Sequence, residues 1–381
     1  MKLSEAATRN LIPQGGIVLE SSHADDEAAL LQWLGHKGLQ EVVVTQRIGS
    51  GPGARLVCQL EPGDRIRLLP LHDTLDLPQR WQQHHGQAAT LEQEILLALM
   101  AAPQTLHFGH LNALQSQVRV RSHIVRAARL TALAFQTEAA ERPEAFWHYD
   151  EAHGFLLCPG RDLVEAIVAA TQPEATGRRY DFSCYRATEY VMLLGIALEL
   201  REHHTALYEE LQTNCEVHAI RSGQFHEVFL TEYGSLQNPL PARYCVPGDR
   251  LWFRNPDPRS SDIEGYEGSW VIYMGQGLFS NFWEREKPFT LASKCLEIFH
   301  WRDGVYTGAH GQLLMDEKKV ALAIEATRQD PAAMQAVLDA MMRLRDPQGV
   351  YAQGGCIDAT REFPRNVSQP GCELVLPRLT L

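Results

Sequence analysis

The chain has no Cys-x-x-Cys pair, no His-Glu-x-x-His, and no unbroken apolar run of the roughly 18–20 residues that span a bilayer as a helix. Its eight cysteines, at 58, 158, 184, 215, 245, 295, 356 and 372, stand singly. That excludes the common zinc spacings and gives no disulfide framework, so reduced thiols in a cytoplasmic protein are the simplest account. Histidine is plentiful at 16. Yet His84-His85 and His203-His204 are adjacent pairs, and adjacent residues on a helix do not face one ion. Positive charge is in deficit: 35 Lys and Arg against 47 Asp and Glu leave −12. This argues against nucleic acid and against an anionic membrane surface as partners. Met1 to Glu20 lacks the apolar core of a signal peptide and contains Pro13-Gln14-Gly15-Gly16, so no secretory leader is expected there.

What is present is size and an ordinary balance. The 381 residues suffice for two domains, and 45% hydrophobic with 22% charged is usual for a soluble globular protein. Residues 1–88 read as a small accessory α+β domain. Ala28, Leu31 and Leu34 predict a helix over 24–39, followed by a strand from Glu41 to Thr45. Arg55–Leu60 and Arg65–Leu71 alternate apolar and polar residues, and Glu61-Pro62-Gly63-Asp64 between them predicts a hairpin. Asp73–Gly86 reads as a linker.

A second domain is expected over 89–345. Thr90 and Gln93 fit a capping box for a helix that stops before Pro103. A longer helix is expected from His110 to about Thr137. Its Arg119, Arg121, Arg126 and Arg129 are expected to pair within this acidic chain. Two short strands are expected around Trp147 and Phe155, and a helix from Arg161 to Thr171. Residues 205–240 carry no clear pattern beyond candidate strands at Val217–Ile220 and Val228–Leu230. Leu314–Leu344 reads as helical, interrupted near Gln329-Asp330-Pro331. Residues 346–381, rich in Gly and Pro, are expected to form a tail that wraps the surface.

The chemistry is concentrated around Cys184. Asp181 and Ser183 are candidate N-caps, and Val191 to Leu200 is apolar nearly all round, which predicts a buried helix with Cys184 in its first turn. Free backbone N–H groups and the positive helix end lie there. They favour thiolate over thiol and offer donors to an oxyanion. The alternative, and the commoner state of a cysteine taken at random, is a small buried apolar residue. Further on, Val246-Pro247-Gly248-Asp249 is a turn that feeds the strand Arg250–Arg254 and stops at Asn255-Pro256. Ser269–Gly275 reads as a second strand, and Leu278–Phe282 returns as a third after Gln276-Gly277.

A helix-borne cysteine ahead of an antiparallel meander resembles the papain-like NlpC/P60 hydrolases. Within them the chain is most similar to the small protein-glutamine γ-glutamyltransferases of spore-forming bacilli. The resemblance rests on Gln117–Val125 with Ala127-Ala128-Arg129, on Phe182-Ser183-Cys184 with Ala187-Thr188, on Pro247–Pro256, on Gly268–Gly275, and weakly on Ala326-Thr327-Arg328. It implies an α+β fold with a papain-like core, the small N-terminal α+β domain lying outside it. It also implies acyl transfer through a Cys184 thioester, cross-linking a protein glutamine to a lysine amine with loss of ammonia. No cofactor and no calcium or other metal is implied. The partners are a protein with an accessible glutamine and an amine donor.

Two departures bear on the base. The resemblance puts glutamate or histidine where Ser269 stands, and a serine hydroxyl is no base near neutral pH. It puts histidine where about Asn281 stands, and glutamate where Ser183 stands. Glu267, two residues before Ser269, shares its face on a strand and is the candidate replacement that reaches toward the sulfur; the alternative is a solvated glutamate at a loop edge. Asn281 either orients a partner or is a turn residue. Deamidation by water on the same scaffold, and a binding protein that has lost its base, are the other two functional readings.

Overall fold

The computed structural model describes residues 15–21, 25–51, 53–135, 140–220, 222–346 and 355–377. Its first sheet contains β1 (Ile17–Ser21), β2 (Val43–Ile48), β3 (Ala54–Leu60) and β4 (Leu106–Phe108), in the order β2-β3-β1-β4. β3 is antiparallel to both neighbours, and β4 joins β1 in parallel. Helices α1 (Asp26–His36), α2 (Pro62–Leu68), α3 (Leu77–His85) and α4 (Leu91–Met100) accompany it.

Two expectations fail here. The second arm of the expected 55–71 hairpin is α2, not a strand. Pro62 opens it with a fixed φ, and the Glu61 carboxylate caps it by accepting the Asp64 N–H at 3.0 Å. The expected linker contains α3, whose Trp81 is buried and whose end is closed by Gly86 at φ 73°. The capping box at Thr90 is present: Gln93 N–H donates to Thr90 Oγ1 at 3.2 Å and Thr90 N–H to Gln93 Oε1 at 2.8 Å. The line at residue 88 is crossed twice. β4 belongs to the first sheet, and one apolar cluster joins Ile17, Leu56, Leu97, Leu114, Val118 and Tyr244.

The middle of the chain is helical. α5 (Leu111–Leu130) packs against α7 (Cys184–His203), with α6 (Leu163–Thr171), α8 (Thr205–Cys215) and α9 (Ser222–Phe229) around them. α5 is shorter than expected, ending where Thr131 turns extended. α7 is buried along most of its length, as its all-round apolar sequence predicts. Gly195 makes the close approach to α5 possible: a Cβ there would lie 2.4 Å from Ile124 Cγ1 and 3.0 Å from Ile124 N. Residues 205–220, without a legible pattern, are largely α8; Val217–Ile220 is not a strand.

The second sheet holds β5 (Leu230–Tyr233), β6 (Arg250–Arg254), β7 (Gly268–Ile272) and β8 (Arg361–Pro364), all antiparallel, in the order β7-β6-β8-β5. The Pro-Gly turn forms as expected. Asp249 N–H bonds Val246 O at 2.9 Å, and Gly248 has φ 89°, a value that favours glycine. Asp249 is buried, accepts Arg121 Nη1 at 2.7 Å and Val246 N–H at 2.7 Å, and so ties α5 to this turn. Arg119 likewise pairs with Glu199 at 2.7 Å.

The C-terminal tail is corrected by this sheet. β8 lies inside it between β6 and β5, with Cys356, Ile357 and Arg361 buried. The third strand is brief: Leu278 and Phe279 pair with Phe289 and Thr290, with a single bridge back from Phe279 to Tyr273. α10 (Leu291–Gly304), α11 (Glu317–Gln329) and α12 (Pro331–Met341) pack behind, broken at Asp330-Pro331 as expected. The molecule is α+β, with a cysteine-bearing helix against an antiparallel sheet.

Candidate active site

Cys184 is the first residue of α7. Ser183 caps the helix, its Oγ accepting the Arg186 N–H at 3.4 Å. β7 is an edge strand, and α7 packs on it. Backbone groups on the free side of an edge strand are available to a neighbour, and the Trp270 N–H and the Tyr185 N–H at the helix start both act on the Cys184 thiol, lowering its pKa. The sulfur lies on a cavity of about 480 Å³, within the size range of small-ligand sites.

Ser269 and Asn281 line the same cavity, so three of the four expected residues meet there. Asn281 is committed to its own loop: Nδ2 donates to Lys287 O at 2.9 Å, and Oδ1 accepts the Glu284 N–H at 3.2 Å. Glu267 is not brought in. It precedes β7 instead of lying in it, so strand alternation does not govern it. Its exposed carboxylate turns back to the Gly265 N–H at 3.1 Å.

Burial pushes the Cys184 thiol above its ordinary range. The Trp270 and Tyr185 N–H groups and the charges of Lys294 and Arg250 pull it down, without cancelling the desolvation. The helix start alone therefore does not make this cysteine a thiolate. Both cations are held in place. Arg250 is buried between the Tyr185 ring, 4.4 Å away, and the Trp270 ring, 4.0 Å away. Its Nε donates to Thr188 at 2.8 Å and its Nη1 to Glu362 at 2.7 Å. Lys294, on α10, donates to Glu297 at 2.6 Å and sits 3.8 Å from the centre of the Phe289 ring. Lys294 and Glu297 both line the cavity. Among the described residues no cluster of three or more His, Cys, Asp or Glu is arranged to hold a metal.

Over residues 74–368 the chain matches the family described as protein-glutamine gamma-glutamyltransferase. The chain belongs to that family. The match covers more than half of the 381 residues and takes in the cysteine-bearing helix and the whole of the second sheet. A protein-glutamine gamma-glutamyltransferase of Bacillus pumilus (strain SAFR-032) is 26% identical over 188 residues, covering 48% of this chain and 69% of its own. A transglutaminase of Geobacillus stearothermophilus, solved without its C-terminal extension, is 21% identical with a TM-score of 0.40, covering 57% of this chain and 97% of its own. Family membership makes the chain an acyltransferase acting on protein glutamine.

Lys294, Glu297, Arg250 and Trp270 are the residues that sequence reasoning passed over. For Lys294 a signal existed. It stands one turn from Ile298, on the face that apolar periodicity predicts to be buried.

Proposed function

We propose that Cys184 is the nucleophile of a transamidation between proteins. As thiolate it attacks the γ-carboxamide carbon of a glutamine, and the tetrahedral oxyanion collapses with loss of ammonia to a thioester. A lysine amine then attacks the thioester and restores the sulfur, leaving an isopeptide bond. The observation that carries this reading is the placement of Cys184 at a capped helix start, lining the cavity. Donors fixed there cost no reorganisation when charge develops on the attacked carbonyl.

Ser269 and Asn281 shape the cavity and take no proton in this scheme. The partners are a protein with an exposed glutamine and a second bearing a primary amine. No described helix is long and apolar enough to cross a membrane. All eight cysteines are free, which fits a reducing compartment such as the cytoplasm. Incorporation of a labelled primary amine into a glutamine-rich protein tests the reading. Cys184→Ala should abolish it while the circular dichroism spectrum and melting stay those of the parent. Incorporation surviving in Cys184→Ala refutes it, and Cys158→Ala serves as the control.

A further inference from the structure

Ser269 stands where the resemblance puts a glutamate or histidine base, and a serine hydroxyl is no base near neutral pH. Transfer from an amide still requires a proton for the departing nitrogen. The cavity's ionisable side chains are Tyr266, Glu284, Lys294, Glu297 and Glu317, besides Cys184 itself. Tyr266 is spent on Glu317, to which its hydroxyl donates at 2.9 Å, and Glu284 pairs with Lys287 at 2.9 Å. Arg250 acts on the sulfur from behind the Tyr185 and Trp270 rings, but a guanidinium does not release its proton.

Lys294 differs from all of these. It is 3% exposed, and lysine is almost never so buried without a role or a partner. Its partner is Glu297, one turn along α10, at 2.6 Å; the Phe289 ring covers it at 3.8 Å. Glu297 takes one of the three N–H donors of the ammonium. Its charge acts on the Cys184 sulfur across the cavity the two residues share. A buried ammonium held by a carboxylate and covered by a ring is well fixed, and such fixation is what proton transfer needs.

We propose that Lys294 is a catalytic residue of this acyl transfer, pairing with the Cys184 thiolate and giving its proton to the departing ammonia, with Glu297 as its positioning residue. The inference rests on the transamidation reading above. The cycle balances. With the thiol proton lost to solvent, the sulfur bonds to the glutamine carbon. As the carbon–nitrogen bond breaks, one N–H of Lys294 passes to the leaving nitrogen, and ammonia departs from a neutral lysine. In the second half the incoming amine bonds to the thioester carbon and its surplus proton goes to Lys294. The carbon–sulfur bond breaks, and thiolate and ammonium are both restored.

Two readouts on the full chain test this. The first is the pH midpoint of Cys184 alkylation by iodoacetamide, followed by mass spectrometry on the peptide that carries it. The second is labelled-amine incorporation with a glutaminyl peptide as donor. Lys294→Met, an apolar chain of similar length, should keep the parent's melting. It should raise the alkylation midpoint by about one pH unit or more, as loss of a nearby opposite charge does. It should also lower kcat on the order of 10²–10⁴-fold, the worth of a placed acid. Lys294→Arg should keep the midpoint near that of the parent yet fail to restore kcat, since the charge remains and the transferable proton does not. Glu297→Gln should lower kcat with KM little changed. An unmoved midpoint in Lys294→Met, a rate within threefold of the parent, or full activity in Lys294→Arg overturns the proposal. Failure of the underlying reading looks different: Cys184→Ala and the parent would then incorporate amine equally, whatever residue stands at 294, and the proposal falls with it.

Discussion

Glu189 lies on α7, one and a half turns from Cys184, and has no solvent exposure. One oxygen accepts Arg186 Nη1 at 2.7 Å, and Oε1 has no hydrogen-bond partner among the described residues. Burial drives its pKa from 4.5 to about 7, with Glu362 adding to the rise, while Arg186 and Arg250 oppose it. Because the folded pKa is raised, the folded state holds this proton more tightly than the unfolded chain does. The stability it contributes is complete below about pH 4.5 and is lost as pH climbs through about 7. For one group titrating at 4.5 unfolded and 7 folded, the loss between pH 5 and pH 8 is about 2.5 kcal/mol. Glu189→Gln keeps the shape and removes the titration. Urea unfolding at pH 5, 6, 7 and 8 should then show the variant gaining about 2.5 kcal/mol on the parent over that range. Glu94, also raised to about 7 by burial, is present in both proteins and cancels in the difference. A gap that stays constant with pH would mean that Glu189 is ionised throughout, its charge carried by Arg186 and Arg250, and would refute the argument.

Arg121→Ala should lower unfolding free energy by about 3–5 kcal/mol, because it strands the buried Asp249 carboxylate; urea titration with intrinsic fluorescence reads it. A fragment beginning at Thr90 should aggregate or melt without cooperativity, because β4 would lose β1 and the shared cluster would lose Ile17 and Leu56; differential scanning calorimetry decides, and a sharp two-state transition would restore the boundary at 88. Glu267→Gln should leave amine incorporation within about threefold of the parent, since its exposed carboxylate is taken by the Gly265 N–H and Glu267 does not line the cavity; a loss of 10² or more would return it to the role of base.

Local patterns were sufficient wherever a segment's own residues decide its conformation. The capping box at Thr90, the Pro-Gly turn before β6, the break at Asp330-Pro331 and the buried helix led by Cys184 all follow from short-range sterics, capping and apolar periodicity. The sequence also determined the chemistry on offer, a cysteine at a helix start followed by an antiparallel pair, and the family resemblance that the match over 74–368 bears out. Where it misled, a local pattern had two physical outcomes. Arg65–Leu71 alternates like a strand, but Pro62 and Glu61 start a helix just ahead of it. Only the tertiary structure decided that residues 361–364 enter the middle of the second sheet, because strand order depends on which edges meet and not on the strand's own residues. It alone decided that Glu267 misses the cavity, and that Lys294 and Glu297, more than a hundred residues beyond Cys184, reach it. The net direction of the Cys184 titration is tertiary too. The helix start is written in the sequence, but the desolvation that outweighs it comes from burial across the fold, where α7 packs on β7.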